Sequence, residues 1–454
     1  MDSTVPAKHA FLKRPHQTIL ALSTPSLFSL IAEPLTGLID TSFVAQLGAV
    51  PLAALGVGAA ALTSIFWIFG FLSIGTQTEV ARSLGRQDHD GAVKVVSLAL
   101  ILGIGLSLVL IVLMLLFIEP VTGLLGASGT TQQQAMIYIQ IRLIGAPAVL
   151  ITLVGFGALR GIQDMRSPFW IAVGVNVLNV VLDYLFISGW GPIPAMHVAG
   201  AALASSISQW AGAVGISWWV IKRLGLTPRI KLHDALDLIK VGGALFVRTG
   251  LLTLFLLLAT RIATRSGTES GAAHQVIRQV WIFSALVQEA YALTAQSLIG
   301  YFMGGGFVTF ARRVAILTSA WSFATGIVLT VLMLLATDFV ADVMVPDAAI
   351  TVFGVGWLVA TLSQPLNALA FITDGIHWGT GDYGYLRNAM IVATVCAGIG
   401  LLLIDVQSSQ ALTYVWIATT IWIGVRAFWG IVRVWPAIGQ SPFRKQPAPL
   451  SVTT

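Results

Sequence analysis

The chain contains one cysteine among its 454 residues, and this residue, Cys396, lies in an apolar run. An intrachain disulfide, a zinc cluster built on thiolates or covalent attachment of haem each needs at least two cysteines. The sequence therefore excludes a disulfide framework and metal chemistry that depends on thiolate clusters.

Charge is also scarce, because charged residues make up 10% of the chain, whereas a soluble globular domain carries about 25%. Hydrophobic types reach 56%, which is too much for a soluble fold of this size. The 25 Lys and Arg exceed the 19 Asp and Glu, giving a net charge of +6. On a chain with many membrane spans such an excess reflects orientation, so we expect no nucleic-acid partner.

Long apolar runs dominate what is present. A helix that spans a bilayer needs about 20 mostly apolar residues. Twelve such runs lie at residues 18–44, 53–81, 95–117, 134–159, 168–187, 198–221, 240–262, 271–302, 314–335, 351–378, 388–405 and 411–432. They predict an all-α polytopic membrane protein with twelve transmembrane helices.

The basic residues predict the orientation, because Lys and Arg are held on the cytoplasmic side. They cluster in the two tails and in every second connection, at Lys8, Lys13, Arg14, Arg82, Arg86, Lys94, Arg160, Arg166, Lys222, Arg223, Arg229, Lys231, Lys240, Arg312, Arg313, Arg387, Arg433, Arg444 and Lys445. The alternate connections hold only Arg261 and Arg265. Both termini are therefore expected to face the cytoplasm, in the plasma (inner) membrane.

The two halves of the chain share a repeat. The set Pro147, Gly157, Gly161 and Asp164 recurs as Pro365, Gly375, Gly379 and Asp382, at a constant offset of 218 residues. A second echo, residues 67–69 (WIF) with Ala81 and Ser83, recurs at 281–283 with Ala295 and Ser297, at an offset of 214. Because each half has an even number of spans, the repeat must be parallel, with its axis along the membrane normal.

This repeat predicts two pseudo-symmetric six-helix lobes. The expected organisation is a cytoplasmic tail at 1–17, an N-lobe at 18–222, a cytoplasmic loop at 223–239, a C-lobe at 240–433 and a cytoplasmic tail at 434–454.

Acids inside the first half mark a candidate ion site, because ionisable groups at membrane depth are costly and usually functional. Asp40 in the first span and Asp183 in the fifth lie at matching depths. Asn179 shares a helix face with Asp183, and Ser205 in the sixth span lies at the same level. These groups could bind one cation or share a proton, or simply satisfy one another by hydrogen bonds. Glu33 shares the face of Asp40 and is open to both interpretations.

The second half carries Glu289 in the middle of the eighth span and Asp374 in the tenth. Asp374 and His377 share a helix face, which suits a proton relay, although a neutral histidine bonded to a backbone carbonyl is the alternative. We expect Glu289 and Asp374 to face a cavity between the lobes. Three arginines within spans are candidate partners for some acids, namely Arg142, Arg248 and Arg278.

No motif of an enzyme competes with these sites. The sequence has no His-Glu-x-x-His, no P-loop and no Gly-x-Ser-x-Gly, so metalloprotease, ATPase and serine hydrolase chemistry lack support. We expect neither an enzyme nor a cofactor.

Several of these segments resemble the multidrug and toxic compound extrusion (MATE) family. They are residues 33–48 (EPLTGLIDTSFVAQLG), 157–161 (GALRG), 200–202 (GAA) and the Asn179 and Asp183 pair. Residues 364–371 (QPLNALAF), Asp374 with Gly375 and residues 385–388 (YLRN) resemble the DinF-like branch.

The resemblance implies two six-helix lobes around a V-shaped cavity that export amphipathic, often cationic, organic compounds by alternating access against H⁺ or Na⁺. It implies a cation site at Asp40, Asn179 and Asp183, with Ser205 a looser match. It further implies substrate or proton contacts at Tyr138, Glu289 and Asp374. Membrane lipid and small organic substrates are the expected partners of a monomer.

Two alternatives remain. A flippase for lipid-linked precursors of the same superfamily fold would need a strongly cationic cavity, and this sequence has more acids than that function predicts. A membrane-embedded lipid-modifying enzyme would need paired Asp motifs or His clusters at the membrane surface, which the sequence lacks.

Overall fold

The computed structural model describes residues 9–229 and 232–444. The side chains of Glu33 and of residues 232–240 lie outside the described part, as do the basic residues Lys8, Lys231 and Lys445 of the orientation argument. Two compact units are found, of which unit 1 ends at Thr249 and unit 2 begins at Gly250. The boundary lies inside a helix, whereas the sequence predicted that the second lobe begins at residue 240.

Regular structure in these ranges is helical apart from one isolated bridge between Trp190 and Ile193. The helices up to the unit boundary are α1 (Ala10–Lys13), α2 (Pro15–Ala45), α3 (Ala49–Ile68), α4 (Phe71–Gly85), α5 (His89–Leu124), α6 (Gly129–Ile144), α7 (Ala146–Gly161), α8 (Arg166–Ile187) and α9 (His197–Arg223). Helix α10 (Leu232–Arg265) crosses the boundary.

The remaining helices belong to unit 2. They are α11 (Thr268–Gly304), α12 (Val308–Leu335), α13 (Thr337–Met344), α14 (Ile350–Leu362), α15 (Gln364–Thr380), α16 (Tyr383–Leu402) and α17 (Ala411–Val434).

The predicted spans correspond to these helices in order. Eight helical segments in the described ranges are long and apolar enough to cross a membrane, with α3 and α4 acting as one segment, and two bent pairs raise the number to ten. The remaining predicted spans are α9 and α11, which are long helices with many buried small and polar side chains. The prediction of an all-α polytopic fold with two six-helix lobes is confirmed.

The bends lie where the sequence repeat places proline. Helices α6 and α7 meet at 51°, and α14 and α15 meet at 46°. Pro147 and Pro365 each lie at the start of the second helix. Proline has no N–H to donate and disfavours helical geometry at the preceding residue, so each predicted single span is broken at the same position.

The glycines of the repeat permit the same close helix contact in both units. A Cβ on Gly157 would lie 2.4 Å from the carbonyl oxygen of Ser73, and a Cβ on Gly375 would lie 2.3 Å from that of Ala292. One turn later, a Cβ on Gly161 would lie 2.9 Å from the carbonyl oxygen of Gln77, and a Cβ on Gly379 would lie 2.8 Å from that of Gln296. Small residues allow such backbone approach in membrane helices, so these glycines fix the α4–α7 and α11–α15 crossings.

These crossings also correct the register of the second echo. Ser73 corresponds to Ala292, and Gln77 to Gln296, at an offset of 219 rather than 214. The ends of α4 and α11 give the same offset of 219, because each helix is followed by a residue with positive φ, Gln87 at 62° and Gly306 at 78°. The 214-residue echo of Ala81 and Ser83 was therefore wrong as a structural alignment, since it depended on matching letters across the α3–α4 break.

Apolar side chains cover much of the exterior. On α5, Leu116 is 68% exposed, and Leu113, Leu115 and Phe117 are about half exposed. Apolar patches of this extent are rare on soluble proteins, and lipid is the solvent that suits them. The chain is an integral membrane protein.

Candidate functional site

Two buried carboxyl groups meet inside unit 1. Asp40 on α2 is 7% exposed and Asp183 on α8 is fully buried, and the two carboxyl groups lie within hydrogen-bonding reach of one another. Carboxylates only accept hydrogen bonds, so two of them in contact require a shared proton or a bound cation. No donor in the described ranges reaches Asp183 Oδ1.

Asn179 and Ser205 complete the hydrogen bonding of Asp40. The Ser205 hydroxyl donates to Asp40 Oδ2 at 3.3 Å. The Asn179 amide satisfies both its ends when its nitrogen donates to Asp40 Oδ1 at 2.9 Å and its oxygen accepts from the Ser205 backbone N–H at 3.3 Å. The four residues predicted from the sequence thus lie together, on α2, α8 and α9.

Tyr138 and Arg142 border the same cluster from α6. Tyr138 is 3% exposed, and its ring occupies the space where a Cβ on Gly58 would lie, 2.5 Å from Tyr138 Cδ1. The phenol and the guanidinium lie close together, and the guanidinium charge of Arg142 is near enough to act on both carboxyls. Arg142 is therefore the counter-charge of the acid pair.

A cavity of about 270 Å³ within unit 1 opens beside this cluster. Its described lining is mixed, with one carboxyl, Asp40, and one guanidinium, Arg142, among small apolar and hydroxyl side chains and Phe66 and Phe156. Two lining groups, Ser208 Oγ and Gln209 Oε1, have no hydrogen-bond partner within residues 9–229 and 232–444. The cavity can thus contact both an apolar body and a polar or charged group.

Sequence reasoning missed part of this lining. Asn176 donates to the carbonyl of Ala32 at 3.1 Å and lines the cavity with Gln209. The sequence spacing could have identified both residues, since Asn176 precedes Asn179 by three residues and Gln209 follows Ser205 by four. These spacings place each residue on the face of the helix that carries the acid site.

In unit 2, Asp374 on α15 is paired with an arginine that the sequence did not single out. Arg426 Nη2 on α17 lies 2.7 Å from Asp374 Oδ2, and both side chains are almost fully buried. Arg426 was detectable as a charge inside the predicted span 411–432, but its partner depends on how α15 and α17 pack.

His377 and Glu289 are the other residues predicted in unit 2, and Glu33 is the remaining one in unit 1. His377 Nδ1 is 2.6 Å from the carbonyl oxygen of Thr373. A histidine bonded to a backbone carbonyl was the alternative to a proton relay. Glu289 lies on α11 and is half buried. Glu33 lies on α2, and its side chain is outside the described residues. That Glu289 and Asp374 face a cavity between the lobes stays a prediction.

These features define a class. Two six-helix units built from a parallel repeat, with buried carboxyls beside a cavity in the membrane-spanning part, are typical of membrane transporters. Residues 25–185 of the chain match the family model MatE.

Homologues extend the match over nearly the whole chain. Protein DETOXIFICATION 44, chloroplastic, of Arabidopsis thaliana is 27% identical, with 92% of this chain and 81% of the relative covered. DNA damage-inducible protein F of Escherichia coli (strain K12) is 27% identical, with 94% and 93% covered. A solved multidrug resistance MATE family transporter of the MOP superfamily, in an outward-facing conformation, has a TM-score of 0.85 at 23% identity over 95% of this chain and 97% of that chain.

Proposed function

We propose that the protein is an ion-coupled antiporter that exports amphipathic, often cationic, organic compounds by alternating access. The observation that carries this proposal is the close, buried pair of Asp40 and Asp183 at the wall of a cavity. Two carboxyl groups in contact at low dielectric cannot both be ionised without a cation or a shared proton. The pair is therefore a group whose charge changes when the coupling ion leaves.

The charges in the site favour one coupling ion per cycle. Asp40, Asp183 and Arg142 sum to zero when the acid pair holds one proton, and to −1 when the proton leaves. A monovalent cationic substrate in the cavity restores neutrality, because Asp40 lines that cavity. Proton and substrate then compete for the same negative charge, which is the basis of exchange.

The hydrogen bonds favour H⁺ over Na⁺. Sodium prefers several oxygen ligands, yet the Asn179 nitrogen faces Asp40 and its oxygen is used by the Ser205 N–H. A proton needs only the carboxyl pair. One-for-one exchange with a monovalent cation is electroneutral, so a gradient of one pH unit sustains about a tenfold substrate gradient, or about 1.4 kcal/mol.

The cavity fits a mixed apolar and polar substrate better than a pyrophosphate. A flippase cavity for lipid-linked precursors would present several cations, while the described lining here has one carboxyl and one guanidinium. We propose small amphipathic organic substrates, a lipid-embedded monomer without a cofactor, and a plasma (inner) membrane location with both termini cytoplasmic, the last from the distribution of Lys and Arg.

Transport of ethidium, a lipophilic monovalent cation, into proteoliposomes with an imposed pH gradient tests this proposal. Asp40→Asn and Asp183→Asn should each lose at least about tenfold in pH-driven rate, and Asp342→Asn, the same change at an exposed position, should retain the rate of the wild type. Full activity in either site variant would refute the assignment. Na⁺-driven uptake without a pH gradient would show that sodium is the coupling ion.

A further inference from the structure

The start of α8 and the end of α9 lie side by side in unit 1. A Cβ on Gly212 would lie 2.6 Å from Val175 Cγ2, and a Cβ on Gly215 would lie 2.8 Å from Ile171 Cδ1. Residue numbers therefore rise along α9 as they fall along α8, so the two helices are antiparallel. The last two turns of α9 lie level with the first turn of α8.

Aromatic side chains cluster at this end of the two helices. On α9, the rings of Trp218 and Trp219 pack edge to face with their centroids 5.0 Å apart. On α8, the Trp170 ring centroid lies 4.9 Å from that of Phe169. Trp170 and Trp218 are 65% and 55% exposed. Tryptophan is enriched where a membrane protein passes from hydrocarbon to headgroups, so this end of the helices lies at headgroup depth.

Three exposed basic residues end the same two helices. Arg166 is the first residue of α8, and Lys222 and Arg223 are the last two of α9. Lys222 Nζ lies 4.8 Å from the ring centroid of Trp218 and 5.5 Å from that of Trp219. The Arg223 guanidinium carbon lies 5.4 Å from the Trp219 centroid. Cation–π attraction at these distances places both charges directly over the aromatic pair.

The acid of this cluster, Asp164, is used mainly by α8. Its carboxylate accepts from the backbone N–H groups of Arg166 and Ser167 at 3.2 and 3.0 Å and from the Ser167 hydroxyl at 2.7 Å. Arg223 Nη2 lies 4.0 Å from Asp164 Oδ2, which is long for an ion pair. Arg166, Lys222 and Arg223 against Asp164 leave a net charge of +2.

The repeat provides a comparison for Arg223, because Asp382 and Arg433 occupy the corresponding positions of unit 2. Arg433 Nε donates to Asp382 at 2.7 Å, and its terminal nitrogens donate to the carbonyls of Ile438 and Gln440 at 2.8 and 2.9 Å. The Arg433 side chain is 11% exposed, whereas that of Arg223 is 52% exposed. Unit 2 thus spends this arginine on its own chain, while unit 1 presents it to the exterior.

We propose that Arg166, Lys222 and Arg223 bind the phosphate of an acidic phospholipid, with Trp218 and Trp219 against its glycerol and upper acyl chain. Guanidinium and ammonium groups both donate to phosphate oxygens, and a net charge of +2 favours an anionic headgroup over a zwitterionic one.

The exposed tryptophans favour a lipid over a soluble anion, because an ion in water would gain nothing from the rings beside the charges. The distribution of Lys and Arg predicts that this end faces the cytoplasm, where the leaflet contains acidic lipids. The inference is independent of the proposed function, since lipid binding is measured without transport.

The test is a titration of phosphatidylglycerol into the purified protein in detergent, followed by native mass spectrometry and thermal unfolding. The wild type should retain one phosphatidylglycerol in preference to phosphatidylcholine, and a saturating concentration should raise Tm by about 5 °C. A basic residue at an acidic lipid surface contributes about fivefold in affinity. The Lys222→Gln and Arg223→Gln double variant should therefore bind at least about twentyfold more weakly and lose most of the Tm shift.

The matched control is the Arg261→Gln and Arg265→Gln double variant. It removes the same charge from exposed positions in the last two turns of α10, on the side that the sequence predicts to lie across the membrane. This variant should bind phosphatidylglycerol like the wild type. If the Lys222 and Arg223 double variant does not fold, Lys222→Gln alone should still bind about fivefold more weakly.

Four results would overturn the proposal. The first is wild-type affinity in the Lys222 and Arg223 double variant, or in Lys222→Gln where that single variant replaces it. The second is an equal loss in the control, because overall charge would then bind the lipid. The third is a Tm shift from phosphatidylcholine as large as that from phosphatidylglycerol. The fourth is stabilisation by inorganic phosphate without an effect of phosphatidylglycerol, which would identify a soluble anion as the ligand.

Discussion

Replacing the repeated glycines by alanine should destabilise both units by the same mechanism. In Gly157→Ala the new Cβ would lie 2.4 Å from the Ser73 carbonyl oxygen and 3.0 Å from its Cα. In Gly375→Ala it would lie 2.3 Å from the Ala292 carbonyl oxygen and 2.5 Å from its Cα. Ordinary contacts begin at 3.4 Å, so the helices must separate by about 1 Å in a close-packed interior.

The partner atoms are backbone, so no side chain can rotate away to relieve the clash. Overpacking of this kind costs about 1–3 kcal/mol, and occasionally more. For units of this size that loss corresponds to a fall in Tm of about 5–10 °C. The assay is thermal unfolding of the purified protein, followed by tryptophan fluorescence.

Gly174→Ala is the matched control, because a Cβ at this position on α8 meets nothing within 4 Å. Alanine is favoured over glycine inside a helix by about 1 kcal/mol, so this variant should melt at or above the wild-type temperature. If Gly157→Ala and Gly174→Ala melt alike, the close α4–α7 crossing is wrong.

Three other outcomes follow from local geometry. Gln87 has φ 62° at the position where unit 2 has Gly306 at φ 78°, a left-handed conformation that glycine adopts more easily than glutamine. Gln87→Gly should therefore raise the unfolding free energy by about 1 kcal/mol, and Gly306→Gln should lower it by about as much. Melting temperatures equal to that of the wild type would contradict this. Burial lowers the pKa of His9 from its usual value of 6.5, so the folded N-terminal segment favours the neutral ring and should lose stability as the pH falls below 6.5. Amide protection of residues 9–14 should fall with pH in the wild type and less so in His9→Gln, and unchanged protection would refute this. Ethidium exchange should follow the pH gradient and ignore an imposed membrane potential, since a response to potential would exclude one-for-one exchange.

Helix number and order were predictable because each long apolar run by itself predicts one membrane-spanning helix. Matched depth brought Asp40 and Asp183 to one level, and the spacing of Asn179 to Asp183 placed both on one helix face. Helical periodicity and bilayer depth fix those relations without any knowledge of packing. The repeat likewise identified Pro147 and Pro365, which the structure shows at equivalent bends.

Contacts between helices were less predictable. Arg426 was visible inside a span, but its pairing with Asp374 depends on the rotation of α17 against α15. The 214-residue echo failed because similar letters do not fix register across a break between helices. The short helix α13 has too few residues to show a reliable period.

The central claim is that the Asp40 and Asp183 pair exchanges one proton for one cationic substrate. Proton release on addition of ethidium to the purified protein, in weakly buffered detergent solution, measures this directly. The wild type should release about one proton per bound ethidium near neutral pH, and Asp40→Asn and Asp183→Asn should release close to none. Ethidium binding without proton release in the wild type, or unchanged release in either variant, would contradict the claim.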